Sequence, residues 1–187
     1  MHRYMIHLKN RSYAPRDASD LLKKARSLIS DSNIIIRDAR VSNKYLEFDT
    51  SISENGKIED IIRKLRYIGD LSEYEEVIDR NIEKGKAIKY AITLFNDEKY
   101  WGAHEILESI WKKAHGEEKD VLNGIILIAA AFVHDEKDES SICLSILKRA
   151  MDKLKYYNGM YFGINIDQVK LYVGEMIKSQ KIDRFVI

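Results

Sequence analysis

The sequence has one cysteine, Cys143, and one proline, Pro15, among 187 residues. A lone thiol excludes an intramolecular disulfide framework and a cysteine-rich zinc cluster, and it fits a reducing, cytoplasmic compartment. Charge of one sign is lacking too: 31 Lys and Arg stand against 30 Asp and Glu, a formal net charge of +1. That balance removes the whole-chain electrostatic argument for a nucleic-acid or membrane-surface protein. The longest apolar run, Val121 to Val133, is interrupted by Asn123 and Gly124. It falls short of the ~20 residues a spanning helix needs, so it reads as a buried core helix. The opening MHRYMIHLKN is broken by Arg3 and Lys9, and without an apolar h-region secretion is not expected. No Gly-x-Ser-x-Gly elbow, Walker loop or dinucleotide glycine fingerprint occurs, which disfavours serine-elbow hydrolases and the usual nucleotide enzymes. Cys143 falls in the apolar pattern of its helix and reads as core, not as a nucleophile.

What is present is an ordinary globular composition, 45% hydrophobic and 33% charged, long enough to bury a core. Two domains are expected, residues 1–80 and 81–187. In the first, Tyr4, Ile6 and Leu8 alternate with Arg3, Met5, His7 and Lys9, the pattern of a half-buried strand. Pro15 marks a helix start, and Leu21, Leu22, Ala25, Leu28 and Ile29 form the stripe of that helix. Strands are expected at Ile34 to Val41 and Tyr45 to Ile52, joined by a turn at Ser42-Asn43-Lys44. A second helix follows from Ile58 to Ile68, with Gly69 at its C-terminal cap, and a short fourth strand lies around Tyr74 to Ile78. This order is the split βαβ, ferredoxin-like unit, with both helices on one sheet face. The other face would carry Arg3, Met5, His7 and Lys9, with Tyr45 as its sole stacking aromatic. RNA binding there is disfavoured on that inventory.

The second part reads as an antiparallel helical bundle of about five helices, making the whole chain α+β. Ala87, Ile88, Ala91, Ile92 and Phe95 line one helix that stops at Asn96-Asp97. The next carries Ala103, Ile106, Leu107 and Ile110 on its inward arc. Beside that arc, at about 100° per residue, come Trp111, His104, Glu108, Trp101 and Glu105. A solvated helix face rarely needs two tryptophans, so something should cover or bind this strip. His115-Gly116 ends this helix. The apolar helix after it closes at His134, and Ile142, Leu144, Ile146, Leu147, Met151 and Leu154 define a fourth. Asn158 to Gly163 reads as a loop with large apolar side chains, and a fifth helix runs from about Asp167.

The stretch LFNDEKYWGAHEILESIWKKA followed by VLNGIILIAAAFVH resembles the domain of unknown function family 309. The motif residues are Phe95, Asn96, Tyr100, His104, Glu105, Leu107, Glu108, Trp111, Gly124, Ala129, Ala130 and His134, and the likeness spans residues of about 84 to 155. It implies a small all-helical domain and brings no activity with it. This chain departs from the pattern at Leu127, where a Gln is expected, and around Ser140 to Cys143, where a Gly-Ala pair is expected.

The candidate ligand pocket is therefore Tyr100, Trp101, His104, Glu105, Glu108 and Trp111. Three chemistries remain open for it. His104 and Glu108, four apart, with His134 from the next helix, would make a two-histidine, one-carboxylate site for a divalent metal such as zinc, with Glu105 as the catalytic general base of a hydrolase. HEILE differs from the metalloprotease HExxH by Glu108 in place of the second His. The same groups would also make an internal hydrogen-bonded cluster, with the Trp111 indole N–H donating, or an aromatic-walled organic-ligand pocket. The leading expectation is a binding or interaction module for a small-molecule or protein partner, with a homo-oligomer left open, no membrane partner, and the hydrolase and RNA-binding readings behind it.

Overall fold

The structure, a computed structural model, describes residues 1–78 and 82–187. Its contacts divide into two compact units, Met1–Arg80 with Glu136–Asp138, and Asn81–Asp135 with Glu139–Ile187. The boundary expected between residues 80 and 81 lies outside the described residues.

The first unit is built in the order β1 (His2–Lys9), α1 (Ala18–Leu28), β2 (Ile34–Val41), β3 (Tyr45–Ile52), α2 (Ile58–Leu65), β4 (Leu71–Glu76). The strands form one sheet, β2-β3-β1-β4, with antiparallel neighbours throughout, which is the expected ferredoxin-like arrangement. Pro15 opens a single 3-10 turn ahead of α1, and the Asp17 carboxylate accepts the Ala14 N–H at 2.8 Å. The register Tyr4↔Thr50, Ile6↔Phe48 and Leu8↔Leu46 brings alternate side chains to one face. There Ile6, Leu8, Leu46 and Phe48 join Leu21 and Ala25 of α1 and Ile61 and Leu65 of α2 in one buried core. Burying each large apolar side chain contributes roughly 1.5–3 kcal/mol.

Two boundaries differ from the periodicity. α2 stops at Leu65, and the Gly69 N–H closes on the Leu65 carbonyl at 3.2 Å without left-handed backbone, so Ile68 is buried from a turn. β4 begins at Leu71 because Leu71 pairs with Leu8 across an irregularity in the ladder. Beyond Glu76 the Val77 N–H still donates to the Arg3 carbonyl at 2.7 Å.

The second sheet face is not a solvated basic surface. Met5, His7, Arg40, Glu47 and Asp49 are all buried. Cross-strand register sets Glu47 opposite both His7 and Arg40, and the three side chains bond: His7 Nε2 lies 2.8 Å from Glu47 Oε2, and Arg40 donates to the other carboxylate oxygen. Arg3 makes a two-pronged pair with Asp49 at 2.9 and 2.6 Å. Burial alone would raise the Glu47 carboxyl, but Arg40 and the His7 hydrogen bond outweigh it and bring it down to about 2. Burial would likewise lower the Arg40 guanidinium, and Glu47 and Asp38 hold it above its ordinary value. Tyr45 meets His7 edge-on, ring centroids 5.5 Å apart.

The second unit packs α3 (Lys84–Asn96), α4 (Tyr100–Trp111), α5 (Gly116–Asp135), α6 (Ser140–Leu154) and α7 (Ile166–Ser179) around one apolar core. Gly116 takes the left-handed φ of +59° that lets the chain turn from α4 into α5. Gly124 permits the close approach of α5 and α6: a Cβ built there would lie 2.5 Å from Leu154 side-chain atoms. The expected loop at 158–163 carries half of a small hairpin, β5 (Met160–Tyr161) with β6 (Ile164–Asn165). Tyr161 turns into the core and donates to Glu118 at 3.1 Å. Asn165 caps α7 by accepting the Gln168 N–H. Cys143 is fully buried, and its thiol is pushed up to about 12 by burial first and Asp135 second, so it is core and unreactive. Among the described residues no helix is long and apolar enough to cross a membrane.

Candidate functional site

α4 shows why its polar residues stay at the margin of the core. Its buried positions are Tyr100, Ala103, Leu107 and Ile110, which recur at helical spacing and fix the rotation of the helix. Trp101, His104, Glu105, Glu108 and Trp111 are then all half-buried. His104 Nδ1 lies 3.3 Å from Glu105 Oε1, with side chains 27% and 40% exposed. Glu108 stands 3.5 Å from Lys112 and is 36% exposed. Each of His104, Glu105 and Glu108 offers a ligand atom, and these atoms all lie within 4.8 Å of one another. Two donors on one tetrahedral zinc ion stand about 3.3–3.6 Å apart, and neighbouring donors on a calcium-sized ion about 3.3–3.7 Å. At 4.8 Å the widest pair would have to close by about 1 Å for all three to hold one divalent cation.

The remaining expected site residues fall elsewhere. His134, at the end of α5, lies outside that group and faces Glu139, with Nδ1 2.5 Å from Oε2. Tyr100 is buried in an aromatic cluster, 5.1 Å from the Phe95 centroid and 4.9 Å from that of Phe132. The Trp111 indole N–H, expected to donate within a polar cluster, is buried with no hydrogen-bond partner. Its ring is capped by Lys119, whose Nζ lies 4.7 Å from the centroid, a cation–π contact. Glu105, expected as a base beside the ligands, is one of the three grouped donors. His115 is exposed.

Residues 88–146 match the model of the family described as "Domain of unknown function (DUF309)". The chain carries a DUF309 domain. This is the stretch holding α4, α5 and most of α3, so the His104, Glu105, Glu108 group sits inside the DUF309 domain. An uncharacterized protein of Aquifex aeolicus (strain VF5) is 27% identical over 106 residues, 56% of this chain. The match covers 31% of that relative's length. Among solved structures, the conserved hypothetical protein TTHA0068 from Thermus thermophilus is similar at 27% identity, with a TM-score of 0.43, over 48% of this chain and 94% of the other.

Two sets of residues with marked chemistry escaped the sequence reading. The His7, Glu47 and Arg40 contacts depend on strand register, which alternation alone does not give. The segment after α7, Lys181 to Ile187, is too short to show a period, and its Phe185 sits among Phe95, Phe132 and Tyr172.

Proposed function

We propose that the protein is a cytoplasmic binding module whose DUF309 helix holds a divalent cation through His104, Glu105 and Glu108. The observation that carries this reading is the convergence of three donor atoms, one imidazole nitrogen and two carboxylate oxygens, within 4.8 Å. A neutral imidazole and two carboxylates make a donor set of mixed hardness, suited to zinc or manganese. All three come from about one turn of one helix, so they would occupy one side of the ion and leave its outward positions to water or to an acidic group of a partner. The flanking indoles of Trp101 and Trp111 would supply apolar contact beside that position. A binding role is better supported than hydrolysis, since a hydrolase needs Glu105 free as base and His134 as ligand, whereas Glu105 stands among the donors and His134 is engaged by Glu139.

Calorimetric titration of tag-free, EDTA-stripped protein with zinc and with manganese chloride tests the reading. One equivalent of either ion should bind, and His104→Ala and Glu108→Gln should each weaken binding at least about ten-fold. Absence of binding by the folded wild type, or unchanged affinity in both variants, sinks it.

A further inference from the structure

Residues 181–187 follow α7 with no helix or strand of their own, after Gln180 takes a left-handed φ of +58°. Side chains at the edges of the DUF309 segment nevertheless fix them at three levels. Asn96 reads the backbone: its Oδ1 accepts the Ile187 N–H at 2.8 Å and its Nδ2 donates to the Ile187 main-chain oxygen at 3.0 Å. Asp135 receives the Arg184 guanidinium at 2.8 and 2.7 Å, with Glu98 3.6 Å away and the Tyr100 ring centroid at 5.9 Å. Phe185 enters an aromatic slot, its centroid 5.9 Å from Phe95, 5.6 Å from Phe132 and 5.0 Å from Tyr172. Beside the segment a cavity of about 630 Å³ remains, reaching Glu175, Met176 and Ser179 of α7.

A backbone-reading amide, an acidic seat for one arginine and an aromatic slot for the next side chain are the parts from which peptide specificity is made. None of these contacts requires the bound segment to be continuous with α7. We propose that this groove is a peptide-recognition site held in cis by residues 181–187, and that its partner in trans is an extended protein segment in which an arginine precedes an aromatic residue. The motif residues Phe95, Asn96 and Tyr100, which the cation site does not use, then have a role of their own. The resident segment competes at the high effective concentration of a short tether, so an outside peptide meets a weakened site until the resident is loosened.

The probe is a fluorescein-labelled heptapeptide with the sequence of residues 181–187, KIDRFVI, titrated by fluorescence polarisation against wild type and the double variant Arg184→Ala/Phe185→Ala. The double variant should bind it at least about ten-fold more tightly than wild type. Adding Asn96→Ala or Asp135→Asn should reverse that gain, and a peptide with both Arg and Phe replaced by Ala should not bind. A folded double variant that ignores the peptide, or binds both peptides alike, overturns the proposal. Should the double variant lose its helical circular dichroism, the wild type decides. Excess unlabelled peptide should accelerate hydrogen exchange of the Ile187 amide by displacing the resident, and an unchanged rate overturns the proposal. Concentration-dependent pairing of wild-type chains that the peptide dissolves would make a second copy the occupant and overturn a different protein as partner.

Discussion

The two units treat ionisable side chains in opposite ways. In the sheet unit Arg40, Glu47, Asp49 and His7 are each no more than 6% exposed and bond to one another across strands. In the helical unit the His104, Glu105 and Glu108 side chains are 27–40% exposed, and the contact that joins His104 to Glu105 is a long one of 3.3 Å. Buried charges persist only when their partners satisfy them, so the first set is committed to the fold. Half-buried donors with loose mutual contacts keep part of their hydration and can exchange it for a ligand. Marked electrostatics therefore does not by itself locate function here. The deeply buried cluster is committed to the fold, and the more exposed one is the candidate site.

The sharpest way to break this comparison is Glu47→Ala, which leaves the Arg40 guanidinium buried without its closest counter-charge. Removing one member of a buried pair costs about 3–5 kcal/mol, read as a lower urea midpoint. A loss below about 1 kcal/mol, the range of solvated surface pairs, would place this cluster with the exposed one and erase the distinction.

Acid should report the same network. Because the folded Glu47 carboxyl lies at about 2, below its ordinary 4.5, the folded state binds fewer protons there than the unfolded chain. Its contribution is complete above pH 4.5 and is lost as pH falls toward 2. The wild-type melting temperature should therefore fall across that interval, and Glu47→Gln should show a shallower slope. Equal slopes would remove Glu47 from the account.

In the helical unit the corresponding weak point is apolar. Gly124→Ala would put a methyl group 2.5 Å from Leu154, and because Leu154 is itself fully buried, relief requires α5 and α6 to move. Overpacking of this kind costs about 1–3 kcal/mol. A neutral result in thermal melts would show that Leu154 has room to yield.

How much of this was legible in the sequence follows from which facts are local. Alternation in Tyr4 to Leu8 and helical spacing in Ile58 to Leu65 are local, and from them the βαββαβ order and the five-helix region can be read. The inward arc of α4 is local as well, which is why Trp101, His104, Glu105, Glu108 and Trp111 were recognisable as one half-buried strip. Register and helix rotation are not local. That Arg40 meets Glu47 is not visible until β2 and β3 are set side by side. Whether His134 faces α4 or Glu139 depends on the rotation of α5, whose nearly all-round apolar surface gives no direction. Phe185 stands beside Val186 and Ile187 in a segment too short to show a period, so nothing local announces which of them enters the core.

The smallest stability effect is the one that most sharpens the contrast. His104→Ala removes a half-exposed imidazole whose hydrogen-bonding contact is the 3.3 Å one to Glu105, so the melting midpoint should shift by no more than about 0.5 kcal/mol equivalent. The same substitution should lower zinc affinity at least about ten-fold in calorimetry. A structural cluster would give the reverse pattern, a large loss of stability with nothing lost in binding. The paired readout on one variant thus separates a group held ready for a ligand from one held for the fold, and Glu47→Ala, destabilised yet unchanged in zinc binding per folded molecule, is its control.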